Sequence, residues 1–169
     1  MCSVPQVGQK VVYGSHGVCL ILDTEIRSIS RKKVEYFVLE PVEHPGTRFY
    51  VPVQNEVAVS KLRPLLSKEE LVALIRSEKA SADCWIPDEN HRKQHYRTLI
   101  NSGDRCALIA MVQTLYRQKQ IQIASGRKFH LCDENFLHDA EKLLSSEFSL
   151  VLGIPLSDIG EYIQNISEK

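Results

Sequence analysis

At Ser67 the hydrophobic pattern of this chain changes period, and that change limits the folds open to it. Residues 7–63 alternate between apolar and polar side chains and are rich in β-branched and aromatic types. The runs are KVVYG, GVCLILDTEIRSI, VEYFVLEPV, RFYVPV and EVAVSKLRPL, separated by GSHG, SRKK and EHPG. Such spacers carry the glycine, proline and small polar residues that turns require. Five short strands are predicted, with no helical pattern between them. Gly14 and Gly17 bracket a tight first turn that calls for positive φ. Pro52, inside RFYVPV, cannot donate to a ladder, so its strand is predicted to lie at an edge or to break there.

From Ser67 onward the apolar residues recur at helical spacing. SKEELVALI opens with Ser67 as N-cap and Glu70 three residues on, the spacing of a capping box. Helical patterns follow in RKQHYRTLI, DRCALIAMVQTLYRQKQ, DENFLHDAEKLLSSEFSLVLG and SDIGEYIQNI. Asp104, Asp133 and Ser157 are predicted N-caps, and Gly153 a C-cap. Leu108, Met111, Val112 and Leu115 form one apolar stripe. Phe136, Ala140, Leu143, Leu144 and Phe148 form another. The expectation is an α+β chain of two domains. Residues 1–66 form a small all-β barrel or strongly bent sheet of Tudor or SH3 type, and residues 67–169 an all-α bundle of about five helices.

Composition narrows the function classes. Hydrophobic residues at 43% and charged residues at 25% are ordinary for a globular chain. No apolar run reaches the ~18–20 residues of a membrane span, and MCSVPQVGQK shows no secretory signal pattern. The five cysteines (Cys2, Cys19, Cys84, Cys106 and Cys132) stand singly, without a CxxC. That argues for reduced thiols, a cytoplasmic location and no zinc site. The formal net charge is zero, yet residues 81–129 hold eight Lys/Arg against four Asp/Glu, and residues 130–169 hold two against eight. A modestly basic block thus precedes an acidic one, with less charge than a strong sequence-independent DNA binder needs.

A catalytic reading finds no support. Five cysteines and six histidines permit a Cys–His pair by count alone, but no local signature supports one, and packing or surface roles are the favoured reading. His91 and His95, four apart, lack a third metal ligand in view. GSHG reads as a hairpin turn rather than a phosphate loop. No catalytic residue, metal site or cofactor is expected. The basic residues carry more. SRKK at 30–33 sits in a predicted loop, and Arg92, Lys93 and Arg97 fall on one predicted helix, where a solvated face is the simplest reading. Trp85, the one tryptophan, lies in the polar stretch CWIPDENHRK. Either it is a buried corner of the helical core, or its indole is presented to an outside partner such as a base step. The residues alone leave both readings open.

These motifs carry a resemblance. VGQKVVYGSHGV, YFVLEPV, YVPV and KLRPLLSKEEL, followed by Trp85, R-x3-Y-R-x2-I-x-SGD (Arg92 to Asp104), LYRQK and DENFLHDAEKLLSSEFSLVLG, resemble the bacterial CarD/CdnL family of RNA-polymerase-binding transcription regulators. The resemblance covers essentially the whole chain. It implies that the β module docks on the polymerase β subunit by strand-edge pairing, with Arg27, Arg48, Tyr50 and Pro52 at the contact. Tyr50 falls where several relatives carry arginine. The helical module would then reach promoter DNA at the upstream edge of the melted bubble, with Trp85 in the minor groove and Arg92, Lys93 and Arg97 on the backbone. The effect implied is a more stable open complex. In many relatives two basic residues follow the tryptophan almost at once; here Ile86 to His91 intervene.

The expectation is therefore a non-enzymatic, monomeric regulator that bridges RNA polymerase and promoter DNA, with weak DNA affinity of its own. Two alternatives stand beside it. One is a protein-binding adaptor that makes no direct DNA contact. The other is a free-standing nucleoid-type DNA binder.

Overall fold

The computed structural model describes residues 4–169. It divides between Leu65 and Leu66 into two compact units, one of strands and one of helices. The first is a five-stranded antiparallel sheet in the order β4-β3-β2-β1-β5. Its strands are β1 (Lys10–Tyr13), β2 (Val18–Ile29), β3 (Lys32–Pro41), β4 (Phe49–Pro52) and β5 (Leu62–Pro64). Between β1 and β2 a single 3-10 turn, Gly14–His16, uses positive φ at Gly14 and Gly17, as the GSHG spacing predicts. The β2–β3 turn is built differently. Ser30 and Arg31 both adopt positive φ, the backbone twist a two-residue hairpin requires even without glycine.

The strand expected over EVAVSKLRPL is corrected. Glu56–Ser60 forms a short helix, α1, and only Leu62–Pro64 is strand. Asn55 is the reason: its side chain accepts from the Ala58 amide at 3.1 Å and caps a turn that sets Ala58 and Val59 against the sheet core. That core is Val11, Cys19, Ile21, Phe37, Leu39, Val51 and Leu62, drawn from all five strands. A register shift between Ile21 and Asp23 lets β2 continue past the core. Its outer half, with β3, forms an exposed ribbon on which Ile26 is 66% accessible.

The second unit holds α2 (Lys68–Ile75), α3 (Glu89–Ser102), α4 (Arg105–Ala124), α5 (Leu131–Leu152) and α6 (Ile159–Ser167), with a 3-10 turn at Leu156–Asp158. Both predicted stripes face its core, where Leu108, Met111, Val112, Leu115, Phe136, Ala140, Leu144 and Phe148 meet Leu71, Ile75, Tyr96, Ile159 and Ile163. Leu143 is only partly buried against them. No single helix among the described residues is long and apolar enough to cross a membrane.

The caps are partly as expected. Ser67 and Glu70 form the full capping box, Asp104 caps α4, and Gly153 closes α5 in the left-handed region. Ser67→Ala removes a bond that one amide of the first turn depends on, and is expected to cost about 1 kcal/mol in denaturant unfolding. Two predicted caps are corrected. The helix expected at Asp133 starts earlier, at Leu131, which leaves Asp133 in its first turn with its carboxylate committed elsewhere. Ser157 lies inside the 3-10 turn and donates to Asp158, while α6 begins at Ile159.

Candidate functional sites on the sheet edge and around Trp85

On the face of the sheet opposite the core, alternation brings together residues from three strands. Tyr36 stands opposite Pro52, and Val38 opposite Tyr50. The Arg27 guanidinium lies 3.8 Å from the Tyr50 ring centroid, and Tyr36 meets Tyr50 edge-on at 6.5 Å. Glu25 accepts from Arg27 Nε at 3.0 Å and holds the arginine's pKa above its ordinary value. Tyr50 therefore acts as a platform for a cation supplied by the neighbouring ribbon.

Beside this face, β4 pairs with β3 on one side and with no strand on the other among the described residues. The register shows why proline is tolerated. The Val53 amide donates to Glu35 O at 3.0 Å, so Tyr36 and Pro52 form a non-hydrogen-bonded pair. The nitrogen of Pro52 then points to the open side, where the missing donor costs the β3–β4 ladder nothing. The main-chain groups left on that side belong to Tyr50 and to the Pro52 carbonyl. Arg48, just before the strand, pairs with Glu40, which also accepts the Gly46 amide at 3.0 Å. Sequence reasoning missed Glu25, Tyr36 and Glu40. Period-two alternation through VEYFVLEPV puts Tyr36 opposite the core and was the available signal.

In the helical unit, Trp85 sits in the connection between α2 and α3. It is partly buried and packs against the helical core. Neither simple expectation for it, core or fully presented, describes the side chain. Several bonds tie down its irregular segment. The Cys84 amide donates to Thr114 Oγ1 at 3.2 Å, Tyr96 Oη donates to the Cys84 carbonyl at 3.4 Å, and the Trp85 amide donates to Asp83 Oδ1 at 3.0 Å. Asp88 then caps α3 by accepting the His91 amide at 2.8 Å. Tyr96 itself is wholly buried, edge-on to Phe136 at 5.6 Å, and that burial pushes its phenol well above the usual range.

The three cations expected beside Trp85 occupy different settings. The intervening residues Ile86 to His91 turn back on themselves, so Arg92 does reach the tryptophan, with its guanidinium carbon 4.2 Å from the ring centroid. Yet Arg92 is only 4% exposed. Its Nε and Nη2 donate to Asp133 Oδ1 and Oδ2, both at 2.9 Å, and Nη1 donates to the Ile86 carbonyl at 2.8 Å and the Pro87 carbonyl at 3.3 Å. Burial opposes its charge, and the hydrogen bonds and charge of Asp133 more than offset that, leaving its pKa raised. The expectation that Arg92 holds a phosphate is therefore corrected: the guanidinium is enclosed and its donors are engaged. Lys93 is partly exposed and pairs with Glu89 at 2.5 Å; that bond raises the lysine pKa and lowers the carboxylate's. Arg97 is exposed one turn further along α3. Asp133 is the site residue that sequence reasoning missed, having been read as a cap.

None of Cys19, Cys84, Cys106 and Cys132 is in a disulfide among the described residues, and Cys2 lies outside them. Burial pushes the Cys19 thiol up to about 11 and raises that of Cys84, which favours the protonated thiol in both. No cluster of three or more metal-ligating side chains occurs among the described residues.

The chain thus joins a sheet module with an open strand edge to a helical module in which one partly buried tryptophan is tied down. Residues 6–64 match the CarD-like/TRCF RID domain, and residues 70–164 match the CarD C-terminal domain. The chain belongs to the CarD-like family, and is a transcription regulator of the RNA-polymerase-interacting kind. No curated protein matches it.

Proposed function

We propose that this protein docks on the β subunit of RNA polymerase through the open edge of β4 and steadies the open promoter complex through Trp85. Main-chain groups of Tyr50 and Pro52 supply edge hydrogen bonds, which need no particular partner side chains. Arg27, held over Tyr50, and Arg48 add the charge that sets orientation and encounter rate. The helical unit then meets the upstream edge of the melted bubble. There Trp85 wedges at a base step of the minor groove, and Lys93 and Arg97 hold the phosphate backbone. No step of this action needs a catalytic group or a cofactor.

The observation that carries the reading is Trp85 itself. An indole already held by core packing and by Arg92, yet not fully buried, is suited to stack on a partner without first having to be ordered. Lys93 and Arg97 are too few for tight free binding, which suits a protein brought to DNA by polymerase, because tethering raises the effective concentration.

The docking half has a direct test. Arg27→Glu in the full chain removes the cation over Tyr50 and places a second carboxylate beside Glu25. Affinity for polymerase is expected to fall by about tenfold or more in a titration of labelled protein. Unchanged affinity would remove this face from the contact.

A further inference from the structure

Resting on that reading, we infer that Arg92 and Asp133 form a clamp that fixes the Trp85 indole in its DNA-ready position, and that neither residue touches DNA. The clamp joins three parts of the chain through one planar group. Along its edge the guanidinium fork meets the Asp133 carboxylate at the start of α5, in two parallel bonds of 2.9 Å. Its remaining nitrogen donates to the carbonyls of Ile86 and Pro87, the two residues after Trp85. Its central carbon lies over the indole, 4.2 Å from the ring centroid.

The segment 84–88 has neither helix nor strand to set its path, so these contacts, together with Thr114 and Tyr96 at Cys84, define where the indole stands. Lysine could not replace Arg92. A lysine ammonium is a point charge without a fork or a stacking face, and it cannot meet a carboxylate, two carbonyls and a ring at once. The clamp also accounts for the six residues between Trp85 and Arg92. The segment must turn back for Arg92 to reach both its own preceding carbonyls and the ring. Preorganisation of this kind lowers the ordering cost at the moment of DNA contact.

The test exploits the fact that Trp85 is the only tryptophan. In the double variant R92M/D133L the buried pair becomes apolar, a replacement that generally preserves folding where loss of one charge does not. Acrylamide quenching and emission anisotropy of Trp85 are read in the full chain, and open-complex half-life is read on a linear promoter. The expected result is a melting temperature close to that of the parent, with stronger quenching, lower anisotropy and a half-life shortened about tenfold, as for Trp85→Ala. Arg92→Lys, which keeps the charge and loses the fork, is expected to move the same three readouts, and it decides the matter if the double variant does not fold. Unchanged quenching and anisotropy in a folded variant would overturn the clamp. So would a loosened indole with an unchanged half-life where Trp85→Ala shortens it. If Trp85→Ala has no effect on half-life, the DNA reading fails, while the fluorescence still decides whether the clamp holds the indole.

Discussion

Glu147→Ala is expected to lower the unfolding free energy of the helical unit by about 3–5 kcal/mol, the cost of leaving a buried charge without its partner. Glu147 is 3% exposed. It accepts Arg105 Nε at 2.7 Å, Arg105 Nη2 at 2.9 Å and the Leu66 amide at 3.0 Å. Its removal takes this acceptor from a largely buried guanidinium and from an amide at the very start of the unit. Glu147→Gln keeps the shape and part of the bonding, so its loss is expected to be smaller. Thermal melting of the two variants beside the parent measures the difference. Equal melting temperatures for all three would show that the pair contributes nothing to stability.

The Arg105–Glu147 and Arg92–Asp133 pairs also mark where sequence reading stops. Each joins residues about forty positions apart, and nothing local to either partner announces the other. Asp133 reads as a helix cap because an aspartate before an apolar run usually is one. Only the packing of α3 against α5 shows that its carboxylate belongs to Arg92. Arg92 reads as a surface cation for the same reason, since buried arginines are rare unless paired.

Features that depend on neighbours in the chain were legible. The switch of period at Ser67, the Ser67–Glu70 box, the glycines of the first turn and Pro52 at the sheet edge all follow from local rules and stand in the structure. The segment 56–60 was misread because its alternation competes with a single capping asparagine, Asn55, and the cap prevails. Tyr50 shows an intermediate case. Its place at the edge was readable from the strand pattern, whereas the arginine over its ring comes from a different strand, along a ribbon whose reach no local pattern fixes.

The second large effect is that of Trp85→Ala on promoter melting. Base–aromatic stacking contributes roughly 1–3 kcal/mol per base, so loss of the indole is expected to shorten open-complex lifetime by about tenfold or more. Because Trp85 is half-buried against the core, the substitution is also expected to cost some folding stability, about 1–2 kcal/mol, below the ~3–5 kcal/mol of a fully buried tryptophan. Polymerase docking, which lies in the other unit, is expected to be unchanged. If Trp85 were simply core, the loss would fall almost wholly on folding, and the protein would act as an adaptor without DNA contact.

Open-complex half-life on a linear promoter, measured with saturating parent protein and with saturating Trp85→Ala, separates these two roles of the indole most directly. Saturation is checked by polymerase binding, and folding by the melting curve. An indole wedged at the bubble edge predicts that the folded, polymerase-bound variant fails to extend the half-life that the parent extends. A folded, polymerase-bound Trp85→Ala protein that extends the half-life as fully as the parent would contradict it.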